Sequence, residues 1–375
     1  MKRSYATPYF ADLAERIDRL GGIFNAHLHL DRAGTYDATV DILNGRGEKH
    51  GAALPLSGKH AVIPLVHASN LYDPAILEER TAFYLDQMIA AGTTRADTVV
   101  DCTTDRVGTT ALETFLRLRE RYAGRIDFRA GAYSPLGFRD DEPERWELVA
   151  RAARMAHFVG LLPERDDHDL YPDHIGFRES ARRGIALAME LGQSIHIHVD
   201  QANHAYEDAS ETIVSVVREM GASAAGRSEP FIWLIHFISP SCYDEPRFQK
   251  LVDDLVELNI GVIVCPSAAI SMRQYRVFSS PTFNSIARVL ELLAAGVQVR
   301  LGSDNICDIT SPMGTPDLME ELFVLANAVR FYDIDIMAKL GAGLPLDAGE
   351  RQRIRDHLAV DQRYMDDIAR KYAPR

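Results

Sequence analysis

The strongest constraint on this chain is a recurrence. Eight short apolar runs rich in β-branched residues are each followed by a longer stretch with apolar residues three and four apart. The runs are GIFNAHLHL (22–30), TTRADTVVDC (93–102), IDFRAGAY (126–133), AHFVGLL (156–162), QSIHIHV (193–199), FIWLIHFI (231–238), IGVIVCP (260–266) and VQVRLGS (297–303). Between them, stretches such as DPAILEERTAFYLDQMIAAG and DEPRFQKLVDDLVELN read as amphipathic helices. Asp73-Pro74 supplies an N-cap and a proline at the first helical position, and Gly92, Gly192 and Gly296 sit where helices should end. Strands alternating with helices fit a closed (β/α)8 barrel or an open doubly wound sheet, and the pattern alone does not separate the two.

Length and composition narrow the partners. A chain of 375 residues suggests two or three domains by simple division, yet an α/β barrel of about 250 residues is one domain. With 46% hydrophobic and 25% charged residues, the chain is neither disordered nor collagen-like. A net charge of −13 argues against nucleic acid or an anionic membrane surface as partners. No run approaches the ~18 apolar residues of a membrane span, and MKRSYATPYFADLAERIDRL lacks a signal-peptide core. Cys102, Cys242, Cys265 and Cys307 form no CxxC pair and read as reduced thiols, so a cytoplasmic location is expected.

In a barrel the chemistry comes from the C-terminal ends of the strands. His27 and His29 are two apart on the first run, so both imidazoles point to one side, where they could share a metal ion or be incidental histidines. The fifth run ends in His196-Ile-His198-Val-Asp200-Gln201, the sixth carries His236, and the eighth ends in Gly302-Ser303-Asp304-Asn305. Buried histidines and aspartates are costly unless paired or metal-bound. The bland alternative makes Asp304 a helix N-cap and His236 a hydrogen-bonded core residue. Placement of the whole set at strand ends favours the closed barrel and a metal site.

These segments resemble the amidohydrolase superfamily, and within it the cytosine-deaminase-like branch. NAHLHLD (25–31) resembles the family's metal-binding HxHLD, His198-Val-Asp-Gln its fifth-strand ligand segment, and GSDNICDITSPMGT (302–315) its eighth-strand segment. The match spans roughly 23–330, with weaker similarity in 64–94. The resemblance implies one divalent metal ion, zinc first with iron or manganese as alternatives, held by His27, His29, His198 and Asp304. It implies that Asp304 accepts a proton from an acidified water and that His236 holds that water or a developing oxyanion. A second metal is not expected, because AHFVGLLPERDD offers no bridging lysine.

The departures bear on the substrate. Where the family has a proton-shuttling glutamate, this chain has Gln201, which can only hydrogen-bond. Pro135 stands in place of a pyrimidine-reading glutamine, and Thr310 and Ser311 replace an aromatic pair. These changes argue against cytosine itself. They point to hydrolysis of a C–N bond in an amide, lactam or related small molecule, with Asp304 carrying both proton transfers. The alternative is deamination of a modified heterocycle, with Asp200 or a water standing in for the glutamate. A barrel that binds a ligand without turnover is the remaining reading. Gln201, Asp200, Asp308 and Arg273 are the candidate substrate contacts, with Arg32, Arg139 and Arg276 as further arginines near strand ends.

Only 26 residues precede His27, too few for the β-sandwich that such relatives add. The expectation is a single domain over 1–375: a barrel at about 23–330, a helix near 8–20, and a helical extension over 331–375 whose apolar surface could support a homo-oligomer.

Overall fold

The computed structural model describes residues 7–47, 51, 54–224, 226–272 and 286–372. Its eight strands are β1 (Ile23–Leu28), β2 (Thr93–Asp101), β3 (Asp127–Tyr133), β4 (Phe158–Leu161), β5 (Ile195–Val199), β6 (Ile232–His236), β7 (Gly261–Val264) and β8 (Val299–Leu301). They lie in sequence order in one sheet, each parallel to the next. Every expected run supplies its strand. The observed strands are shorter at their ends, where polar residues leave the ladder for the loops.

The barrel closes through the functional segments themselves. Asp304 N donates to His27 O at 3.0 Å and His29 N donates to Asp304 O at 3.1 Å, bridging β1 to the segment after β8. Gly302 permits this approach: a Cβ there would lie 2.7 Å from His27 O and 2.8 Å from His27 Cβ. Asn25 and Ser303 reinforce the seam, Ser303 N donating to Asn25 Oδ1 at 3.1 Å. A bulge between Asn25 and Leu28 sets three residues of β1 against two of β2, a device that re-aims side chains at barrel rims.

Helices cover the sheet with their apolar faces. Helix Pro74–Ala90 starts after Asp73 as expected, and Gly192 and Gly296 end helices in the left-handed region at φ 65° and 107°. The N-terminal helix Pro8–Arg19 buries Leu13, Ala14 and Ile17. The C-terminal helix Ala348–Tyr372 anchors through Glu350 and Ile354, then exposes Tyr364, Met365, Ile368 and Tyr372. Among the described residues no helix is long and apolar enough to cross a membrane.

A buried polar network braces β1 against β2. Asp31 accepts from Asp101 N at 2.9 Å and from the Tyr72 hydroxyl at 3.1 Å. His67 lies 3.0 Å from Asp101 Oδ2 and 2.7 Å from Asp105 Oδ2, and these two carboxylates outweigh its burial, raising it to about 9. A raised histidine stabilises the fold fully below its unfolded value near 6.5 and loses that contribution as pH climbs through 9. Replacing His67 by glutamine should therefore cost on the order of 3 kcal/mol near pH 6. The gap between variant and wild type in urea unfolding should shrink at pH 10; a gap independent of pH would contradict a charged His67.

Candidate metal centre

The strand ends bring the expected ligands together. His27 and His29 leave β1 and His198 leaves β5, and their nitrogens converge: His198 Nε2 lies 3.1 Å from His27 Nε2 and 3.3 Å from His29 Nε2. Asp304 Oδ1 lies 3.6 Å from His27 Nε2 and 3.3 Å from His29 Nε2. All four side chains are buried. His236 stands beside them, its ring centroid 5.5 Å from that of His198 and 6.1 Å from that of His27.

The protonation pattern suits a cation. Burial holds His198 down at about 3, and burial likewise lowers His27, His29 and His236, so the rings stay neutral. His198 Nδ1 donates to Leu161 O at 3.0 Å, which leaves the lone pair of its Nε2 facing the cluster. Asp304 Oδ1 is buried without a hydrogen-bond partner among the described residues. Neutral imidazole acceptors this close repel one another unless a proton or cation lies between them. Three nitrogens and one carboxylate oxygen are a donor set that zinc and iron accept readily. The residues therefore fit the divalent ion that the sequence resemblance implies.

Backbone strain concentrates here. Asp200, His236, Phe237 and Asp304 have φ of 59°, 76°, 53° and 57°, a region that side chains other than glycine seldom occupy. Such strain persists only where the surroundings enforce it, and it gathers at active sites.

Beyond the cluster lies a cavity of about 940 Å³, lined among others by His60, Glu164, Gln201, Glu207, Ala268 and Thr310. His60 lines the cavity, and burial with the neighbouring Arg165 and Arg32 pushes it down to about 3. The volume suits a small ligand.

The remaining sequence candidates divide. Gln201 lines the cavity. Asp200 turns the other way, its Oδ1 accepting from Ser210 N at 3.3 Å, and it is not part of the cavity wall. Asp308 ties its own loop, accepting from Thr310 N at 2.8 Å and Ser311 N at 2.9 Å. Arg32 is buried against His29 Nδ1, with its Nε 3.8 Å from Asp101, and Arg139 pairs with Asp141 at 2.8 Å. Arg273 and Arg276 lie outside the described residues. His196 is buried on Phe158, ring centroids 4.3 Å apart, and stays out of the cluster.

Two groups escape sequence reading. His60 sits on helix Leu56–Ala68 in the long β1–β2 connection, and that length is the signal that could have exposed it. Glu164 follows Pro163 just beyond β4, and its Oε2 accepts from Gln201 Nε2 at 2.8 Å. Its position at a strand end was visible, but its pairing with a residue 37 positions away was not.

Comparison with known proteins agrees with this geometry. No family model matches the chain. A pterin deaminase of Rhizobium rhizogenes is 22% identical over 336 residues, covering 89% of this chain and 67% of the relative. Among solved structures, a 5-methylcytosine deaminase of Klebsiella pneumoniae superposes with a TM-score of 0.69 at 23% identity, over 90% of this chain and 82% of that one. N-isopropylammelide isopropylaminohydrolase from Burkholderia multivorans gives 0.63 at 21%, over 86% and 74%. A more distant barrel, atrazine chlorohydrolase of Arthrobacter aurescens complexed with zinc, gives 0.53 at 15%, over 82% and 64%. The chain thus shares the (β/α)8 barrel of these deaminases and hydrolases.

Proposed function

We propose that this chain is a metal-dependent hydrolase that cleaves a C–N bond of a small nitrogen heterocycle, releasing ammonia or a small amine. The convergence of His27, His29, His198 and Asp304 beside a ligand-sized cavity carries the reading. The names of the similar proteins, a pterin deaminase, a 5-methylcytosine deaminase and an isopropylaminohydrolase, point to the same substrate class.

A divalent ion, which these four residues would hold, would supply the Lewis acidity that lets water attack near neutral pH. Asp304, buried beside His27 and His29, takes the proton of that water and later delivers it to the departing nitrogen. His236 holds the attacking oxygen or the oxyanion that forms from the substrate. Gln201, on the cavity wall, orients the substrate through its amide.

A second reading, hydrolysis of a lactam or linear amide by Asp304 alone, draws on the absence of a carboxylate at position 201. Product analysis on the zinc-loaded chain separates them. Free ammonia from pterin or 5-methylcytosine, or isopropylamine from N-isopropylammelide, is the expected result. Carboxylate formation from lactams or anilides, with no amine released from the heterocycles, would favour the second reading.

A further inference from the structure

Gln201 leaves one chemical gap. Addition of water to an aminated heterocycle needs an acid at the ring nitrogen next to the reacting carbon, and an amide cannot serve. The structure places two carboxyl groups beside that amide. Glu164 accepts from Gln201 Nε2 at 2.8 Å and from Gln201 N at 3.4 Å. Glu164 and Glu207 lie close enough to act on each other's ionisation. Glu207 in turn accepts from Ala202 N at 2.9 Å and from the Ser239 hydroxyl. Both carboxyl groups line the cavity and keep part of their surface open to it. Two neighbouring buried carboxylates repel when both are ionised, so such a pair holds at least one proton near neutral pH.

We propose that the Glu164–Glu207 pair is the acid that protonates the substrate ring nitrogen, with Gln201 positioning Glu164 for it. The inference rests on the aminohydrolase reading above and supplies the proton carrier that position 201 lacks. Burial raises both groups to about 8, helped on Glu164 by the neighbouring Asp200 and on Glu207 by Glu164. A carboxyl near 8 is protonated at neutral pH yet can give its proton up. Gln201 Oε1 accepts no hydrogen bond among the described residues, so it is available to a substrate N–H. The substrate implied is a neutral aminated heterocycle with an amidine edge, –N=C(NH2)–, rather than an acid.

The protons balance. As the water oxygen bonds to the amidine carbon, its first proton passes to Asp304. The C=N electron pair moves to the ring nitrogen, which takes the proton of the Glu164–Glu207 pair. When the adduct collapses, its hydroxyl proton returns to the pair and a carbonyl forms. The exocyclic C–N bond breaks, and the proton on Asp304 leaves with the nitrogen as ammonia.

The test uses the zinc-loaded full chain with pterin and 5-methylcytosine as probes, and reads ammonia release, zinc content and the infrared signal of a protonated carboxyl near neutral pH. Glu164→Gln should keep its zinc and show a weaker carboxyl signal than the wild type. Its kcat should fall about 100-fold or more with KM moving less than about 5-fold. The exchange variant Glu164→Gln with Gln201→Glu keeps an amide beside a carboxyl and should recover to within about 10-fold of wild type. A purely structural Glu164 would not show that rescue. Wild-type kcat in Glu164→Gln, or no protonated carboxyl in the wild type, overturns this inference alone. A zinc-loaded wild type that releases ammonia from neither probe overturns the aminohydrolase reading, and the proton transfer with it.

Discussion

Asp304→Asn is expected to lower kcat by about 10²–10⁴-fold, the range attached to a lost general acid–base group. The substitution is nearly isosteric, and asparagine tolerates the left-handed φ of 57° at this position. The hydrogen bonds that close the barrel, from Asp304 N to His27 O and from His29 N to Asp304 O, are main-chain bonds and survive the change. What disappears is the charge and basicity of an oxygen 3.3 Å from His29 Nε2. Unfolding midpoints close to wild type, together with the lost turnover in zinc-saturated assays, would place the defect in chemistry. Wild-type kcat would remove Asp304 from the mechanism.

His198→Ala carries the second large effect. Its Nε2 is the nitrogen on which those of His27 and His29 converge, and its ring is held in the ligating tautomer by Leu161 O. Loss of a mere supporting partner of a metal ligand costs about 10–100-fold in affinity, so loss of this proposed ligand should exceed about 100-fold in competition with a chelator. The lost hydrogen bond from the His198 ring to Leu161 O adds about 1 kcal/mol of destabilisation. His196→Ala is the control. His196 lies two residues earlier on the same strand face, buried against Phe158 and outside the cluster. Its removal should reduce stability and leave zinc affinity unchanged. Equal zinc loss in both variants would mean that the strand, rather than the ligand, had been damaged.

The residues that converge at the candidate metal site were legible in the sequence because each sits at a strand end, where a period of two fixes the side it faces. His27 and His29 share a face for that reason, and the glycine before Ser303-Asp304 marks where β8 meets β1. Strand order followed from alternation with helices. The seam was harder to see: the bulge between Asn25 and Leu28 depends on register with β2, which no local pattern encodes. The cavity wall was largely hidden. His60 lies in an apolar helical segment with nothing local to distinguish it, and Glu164 gains meaning only from Gln201 and Glu207 on another strand-end loop. Asp200 shows the converse. Its proximity in sequence to Gln201 suggested a replacement acid, but its φ of 59° directs the carboxyl toward Ser210. Position 201 thus holds an amide, while the Glu164 carboxyl from the loop after β4 sits beside it.

Metal stoichiometry tied to turnover tests the central claim most directly. The purified chain should hold about one equivalent of zinc, iron or manganese per molecule. A chelator should remove metal and amine-releasing activity in proportion, and readdition of the ion should restore both. His27→Ala should bind too weakly to retain it through purification. A metal-free wild type with full activity, or a His27→Ala variant that keeps its full equivalent, would contradict a metal centre built from His27, His29, His198 and Asp304.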